Sequence, residues 1–115
     1  MSPTIVSNAM PYSTVLYERI AELLPHAPHK RMFGGVVFFG RGHMLVGVFG
    51  DGMMVRVGPD AFDEALAQAG VRPLASQPKR MRGFVVVDEA LLDDDDIIAD
   101  WIARAQVFNR TLPPK

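Results

Sequence analysis

Two short basic segments are the clearest candidates for chemistry in this chain. Residues 30–35 read KRMFGG and residues 79–84 read KRMRGF, so each segment places two cations, a methionine and a glycine before an apolar run. If the segments lie close together, their side chains form a cationic patch that can bind phosphates or an acidic protein surface. The candidate binding residues in them are Lys30, Arg31, Lys79, Arg80 and Arg82.

The alternative interpretation is that these segments are two strand entrances. Exposed cations often flank apolar strands, where they oppose aggregation, and a glycine there allows close packing of the backbone. The spacing matches neither a Walker motif nor a dinucleotide-binding motif. We favour the strand entrances and keep the cationic patch as the alternative.

Arg56 is a further candidate, because it lies in the middle of an apolar run between Val55 and Val57. Side chains alternate between the two faces of a strand, so Arg56 points away from the core that its neighbours enter. It can therefore line a partner surface, or it can be an ordinary outward-facing arginine.

No catalytic residue, cofactor site or metal site is predicted. The chain has no cysteine, which excludes disulfides, thiol nucleophiles and thiolate zinc sites. No GxSxG or SxxK motif surrounds a hydroxyl. The aspartates of residues 93–96 are consecutive, and consecutive helical residues diverge by about 100° each, so they indicate a helix start rather than a metal site. The sequence predicts a protein that is not an enzyme.

Charge is neutral in total and polarised along the chain. The 115 residues carry a net charge of −1, with 49% hydrophobic and 22% charged residues, as in ordinary globular domains. Seven of the thirteen acids lie between Asp88 and Asp100. No membrane-spanning run or signal peptide is recognised, and the absence of cysteine fits a reducing compartment, so we predict a cytoplasmic protein without membrane contact.

The apolar pattern predicts three helices and five strands in the order α-β-β-β-α-β-β-α. This is an α+β fold in two layers, with helices packed on a five-stranded antiparallel sheet. The helices are predicted at 13–24, from 59 to 70 and at 94–109. The strands are predicted at 32–40, 43–50, 52–58, 71–75 and 83–87, with Arg41-Gly42 and Asp51-Gly52 between the first three.

Several predicted strands are apolar on both faces, as in the run from Val36 to Phe39. Either helices cover both faces of the sheet, or one face is buried against a second copy of the protein. Because three helices are few for covering five strands twice, we predict a homodimer.

One domain is predicted over residues 10–115. Residues 1–9 are interpreted as a leader that is non-native or disordered, because Ser7-Asn8-Ala9 resembles the residues left after removal of a tag.

Three segments resemble the TfoX N-terminal domain family. They are RMFGG at 31–35, MRGFVVVD at 81–88, and a tryptophan-bearing helix that ends in RTLPPK at 110–115; the likeness spans about residues 16–115. The resemblance implies the α-β(3)-α-β(2)-α arrangement shared with secretion-chaperone-like folds. It also implies a relation to bacterial regulators of competence development, in which this domain is joined to a C-terminal domain, and it supplies no catalytic residue.

We therefore predict a non-enzymatic, cytoplasmic regulatory domain that forms a homodimer and contacts an unidentified protein partner. Two alternatives stay open. One is a nucleic-acid-associated transcriptional regulator that uses the basic patch, and the other is a small ligand-binding domain or enzyme of unknown substrate.

Overall fold

Six antiparallel strands form one sheet, and three helices pack on it, in the computed structural model, which describes residues 12–74 and 82–115. The α+β fold is thereby confirmed. The helices are α1 (Thr14–Leu23), α2 (Phe62–Leu66) and α3 (Asp95–Asn109). The strands are β1 (His29–Met32), β2 (Gly35–Gly40), β3 (His43–Phe49), β4 (Gly52–Arg56), β5 (Val71–Pro73) and β6 (Phe84–Asp88), and a 3₁₀ turn (Glu89–Leu91) follows β6.

The prediction of five strands was wrong, because β1 precedes the strand that was expected to be first. β1 has the sequence HKRM and its first three residues are exposed, so it carries no apolar run that would indicate a strand. It turns into β2 through Phe33 and Gly34, whose φ angles of 56° and 78° are both positive. Positive φ at both central positions is the geometry of a tight hairpin turn, but a phenylalanine there gives no turn signal in the sequence.

The strand order is β1-β2-β3-β4-β6-β5, so a four-stranded meander is extended by the last two strands. The predicted turn at Arg41-Gly42 is confirmed, with φ angles of 56° and 87°. The next turn lies one residue earlier than predicted. Phe49 pairs with Gly52, so the central residues of that turn are 50 and 51 rather than 51 and 52.

All three helices pack on the same face of the sheet. Their buried apolar side chains belong to one core, together with alternate residues of the central strands, except that β3 contributes both Leu45 and Val46 next to the register shift. The helices contribute Leu16 and Ile20 from α1, Phe62 and Ala65 from α2, and Ile98, Trp101, Ile102 and Ala105 from α3. The core forms because apolar residues recur at the 3.6-residue period of a helix in the helices and at the two-residue period of a strand in the sheet, so each element has one apolar face toward the other.

The helix starts follow from capping chemistry. The predicted N-cap Ser13 is confirmed, since its hydroxyl oxygen accepts a hydrogen bond from the Leu16 amide at 3.1 Å. The aspartate run does begin α3, but the N-cap is Asp94 rather than Asp93. The second helix begins only at Phe62 and has five residues, with no side-chain cap, and is therefore shorter than predicted.

The hairpin between β2 and β3 is fastened to the end of α3. The buried Asn109 donates from Nδ2 to the carbonyl of Gly40 at 2.9 Å, and Arg41 donates from Nη1 to the carbonyl of Asn109 at 2.6 Å. The backbone amide of Lys115 donates to the carbonyl of Arg41 at 3.0 Å. The bond from Arg41 satisfies a carbonyl at the end of α3, and the bond from Lys115 ties the TLPPK tail to the hairpin.

Replacing this buried amide should weaken the fold. We expect Asn109→Ala to lower the free energy of unfolding by about 1–3 kcal/mol, because the carbonyl of Gly40 loses its donor and α3 loses one of its hydrogen bonds to the hairpin. Urea denaturation measures the change. Arg110→Ala is the matched control, since Arg110 is exposed, and it should shift stability by less than about 0.5 kcal/mol. Equal stabilities for the two variants would contradict this role of Asn109.

A candidate interaction face on the sheet

The face of the sheet opposite the helices carries its own apolar surface, which we call the second face. The strand register places its side chains in three rows that run across the sheet. The middle row is Lys30, Val37, Gly47, Met54, Val86 and Arg72. One flanking row is Met32, Gly35, Phe49, Gly52 and Asp88. The other is Arg56, Phe84 and Leu74, and the pair Phe39 and Met44 continues it beyond the register shift between β2 and β3.

Glycines allow the side chains of the second face to pack closely against the backbone of the sheet. A Cβ carbon placed on Gly35 would lie 2.5 Å from Cδ1 of Phe49, so the phenylalanine ring occupies the space that a side chain at Gly35 would need. A Cβ carbon placed on Gly52 would likewise lie 2.5 Å from Cγ1 of Val86. Large side chains therefore lie flat over glycines, which buries part of the apolar surface within one chain.

Part of the second face stays accessible even so. Val37 and Met54 are buried in its centre, with relative exposures of 0% and 1%. Around them lies a ring of half-buried apolar side chains: Met32, Phe39, Met44, Phe49 and Leu74. Among the described residues, no helix contributes an apolar side chain to this second cluster. The second face thus offers a methionine- and phenylalanine-rich surface around a closed centre.

Arg56 lies at one end of the second face, away from the main core, as its position between two valines predicts. Its guanidinium carbon is 4.9 Å from the ring centre of Phe84 and 5.4 Å from that of Phe108 in α3. Its Nε atom is buried and has no hydrogen-bond partner in the described parts of the chain. Burial removes water from the guanidinium and lowers the pKa of Arg56 from its ordinary value. Nε itself is closed to outside contact, so a carboxylate that arrives from outside would bind the terminal Nη atoms of this cation.

The two basic segments lie in different parts of the sheet. Lys30 and Arg31 are exposed on the edge strand β1, whereas Arg82 precedes β6, with three strands between them. This separation is roughly 19 Å, at about 4.8 Å per strand. Arg82 also pairs with Asp63 at 3.2 Å. Lys79 and Arg80 lie outside the described residues, so the patch as a whole stays a prediction.

Between α2 and α3 lies a groove with a cavity volume of about 850 Å³. Its floor is apolar and includes Val57, Ala65 and Phe108, while Glu64 and Arg104 stand at its rim. A groove of this size can hold a small molecule. Its polar groups form no nucleophile–base pair, and Arg104 is already paired with Asp100 at 3.1 Å. The groove therefore indicates no particular reaction.

The described residues carry neither a grouped set of metal ligands nor a membrane-spanning helix. There, no three or more histidine, aspartate or glutamate side chains are grouped so that they could hold a metal ion. Within residues 12–74 and 82–115, no helix is both long and apolar enough to cross a membrane.

Sequence reasoning missed two residues of the second face and its rim. Phe108 was expected in the core, but it is half-buried and its ring lies against Arg56. Asp88 was treated only as the start of an acidic stretch. It continues the two-residue alternation of Phe84 and Val86, and this alternation is the signal that places it on their face.

The glycine packing leads to a stability prediction. We expect Gly35→Ala to lower the free energy of unfolding by roughly 2–3 kcal/mol, because the added carbon would clash with the carbonyl oxygen of Val48 and displace Phe49. Thermal or urea unfolding measures the loss. Gly40→Ala in the same strand is the control, since its added carbon meets only Asn109 at 3.5 Å, an ordinary contact. A tolerated Gly35→Ala would show that Phe49 does not depend on this glycine.

The chain matches the family model described as the TfoX N-terminal domain over residues 18–108. Neither a curated protein nor a solved structure matches it. The matched range covers most of the chain and includes the whole six-stranded sheet and nearly all of α3. The chain belongs to the TfoX N-terminal domain family.

Proposed function

We propose that this domain is a non-enzymatic, competence-regulator-like module of the bacterial cytoplasm that forms a homodimer and works through protein contacts. One observation carries the proposal. The described helices all pack on one face of the sheet, while the second face presents half-buried phenylalanine and methionine side chains. Apolar surface of this kind is typical of protein–protein contact sites.

The edges of the sheet are poor alternatives for association. β1 exposes Lys30 and Arg31 at one edge, and charged side chains oppose the pairing of edge strands between molecules. The other edge strand, β5, contains Pro73, which has no backbone donor. Association through stacked faces is therefore favoured over association through edge strands.

Methionine suits a surface that must fit a partner. Met32 and Met44 are half-buried in opposite flanking rows, and their unbranched side chains can adapt to a facing surface. A second protein partner of the regulatory pathway would compete for this surface or bind the dimer elsewhere. Both arrangements fit a domain that signals through contacts rather than through catalysis.

A charge in the second face should disrupt self-association. We expect Met44→Glu to raise the dissociation constant of the dimer at least tenfold, because the carboxylate would be desolvated in an apolar interface. Sedimentation equilibrium over a range of concentrations measures this constant. Val15→Glu is the matched control on α1, where Val15 is 61% exposed, and it should leave the constant unchanged. A wild-type protein that stays monomeric at high concentration would refute the homodimer.

Nucleic-acid binding is a second candidate, and the exposed pair Lys30 and Arg31 favours it. Neither forms an ion pair with a carboxylate in the described part of the chain, so both charges are available to phosphates. The observation covers only one of the two basic segments.

Titration with duplex DNA at low and physiological salt tests this candidate. If it holds, affinity should fall steeply as salt rises, because phosphate contacts release counterions, and the double variant Lys30→Glu/Arg31→Glu should abolish binding. Arg110→Glu is the control, an exposed cation at the end of α3. Absence of binding at low salt would eliminate this candidate and leave the protein-contact function standing.

A further inference from the structure

We infer that the two copies of the proposed homodimer stack their second faces with strands running in opposite directions, so that Arg56 of each copy pairs with the partner's Asp88. This inference rests on the proposed homodimer and specifies the partner and the register of its interface. Such an interface is self-complementary: the same two residues meet twice, once on each side of a two-fold axis.

The strand register supplies the geometry. Arg56 pairs with Phe84 across β4 and β6, and Asp88 pairs with Gly52 across the same two strands. The pair formed by Met54 and Val86 lies midway, two residues from each. Arg56 and Asp88 are thus equally far from this midpoint along the strands, on opposite sides of it.

A two-fold axis that crosses the strands at this midpoint exchanges the two ends of the second face. It lays the row that contains Asp88 in one copy over the row that contains Arg56 in the other. Stacked sheets lie about 10 Å apart and neighbouring strands about 4.8 Å apart. Arg56 on β4 then meets the partner's Asp88 one strand to the side, and the two side chains together span the gap between the sheets.

Charge selects this axis over an axis that runs along the strands. An axis along the strands would place Arg56 over the partner's Phe84, and both Arg56 and Asp88 would then be buried without an opposite charge, which is costly. Arg56 forms no ion pair within the described residues, and its Nη atoms, unlike the buried Nε, can reach a carboxylate of the partner. Asp88 is half-buried and uses Oδ1 to accept from the Ala90 amide at 3.1 Å, which leaves Oδ2 for a second donor.

The other cations of the second face do not oppose this arrangement. Arg72 lies near the axis, but its guanidinium is turned to Asp51, with Nη2 and Oδ1 3.5 Å apart, so its charge is balanced within its own chain. Lys30 lies at the far edge of the sheet over the ring of Phe39, and the angle of about 30° between stacked sheets separates the two edges.

A charge-reversal experiment with mixed variants tests the pairing. Arg56→Glu alone creates two repulsive pairs per dimer, and so does Asp88→Lys alone, so each variant should dimerise at least tenfold more weakly than the wild type. In a mixture, a heterodimer brings the substituted glutamate against the substituted lysine at one end and the native Arg56 against the native Asp88 at the other. The mixture should recover most of the wild-type affinity. Native mass spectrometry counts the heterodimer directly.

Milder variants keep the test valid if a reversal prevents folding. Asp88→Asn retains an oxygen for the Ala90 amide, and Arg56→Gln retains a polar side chain, so circular dichroism should show both folded. Each should weaken the dimer several-fold. The double variant should be no weaker than either single one, because the same pair has been removed only once.

The outcomes separate this inference from the proposed function. If neither charge reversal changes the dissociation constant of the dimer, or if the mixture contains no excess of heterodimer, the Arg56–Asp88 pairing is wrong. The proposal of a dimer through the second face is not affected by that result. A monomeric wild type would overturn both. The two-fold pairing predicts that each variant by itself dimerises weakly and that the affinity is restored only when the two variants are mixed.

Discussion

The two faces of this domain depend on the alternation of side chains along the central strands of the sheet, which is interrupted where the pairing of β2 with β3 shifts by one residue. Val55 and Val85 enter the helix-covered core, while their neighbours Met54 and Val86 enter the second face. A shift of one residue in the pairing of β4 with β6 would exchange the two faces completely, so the register is held by burial on both sides. Because the alternate residues of these strands are also apolar here, the register that builds the core creates an apolar surface on the opposite face as well.

Side chains of the second face cover one another and the backbone beneath them, which reduces the apolar area that this face exposes to water. With glycine at positions 35, 47 and 52, the rings and methyl groups of neighbouring residues lie over the backbone, and Val37 is buried although no helix of the described residues contributes to its cluster. A face that is partly closed in this way can be exposed in a monomer and still be covered in a dimer. The same packing makes it rigid, and a preorganised surface loses less side-chain entropy when a partner binds.

Local signals in the sequence were enough to predict the three helices, the Arg41-Gly42 turn and the outward direction of Arg56. Features that depend on long-range pairing were not predictable. β1 is too polar to be recognised, and its turn is hidden by a phenylalanine at positive φ. The separation of the two basic segments follows from strand order, which places β6 beside β4 and β1 at the far edge. No composition or period in one sequence encodes that order.

Arg56 shows how an unsatisfied group connects stability to function. The rings of Phe84 and Phe108 hold its guanidinium in place and offset part of the cost of its desolvation, since a cation is attracted to the face of an aromatic ring. They leave the buried Nε without an acceptor. A cation that is oriented and partly dehydrated before binding loses little further hydration or side-chain freedom when a carboxylate reaches it. In the dimer that we propose, the free chain would bear the desolvation cost of Arg56, and the charge pair would add specificity to the interface.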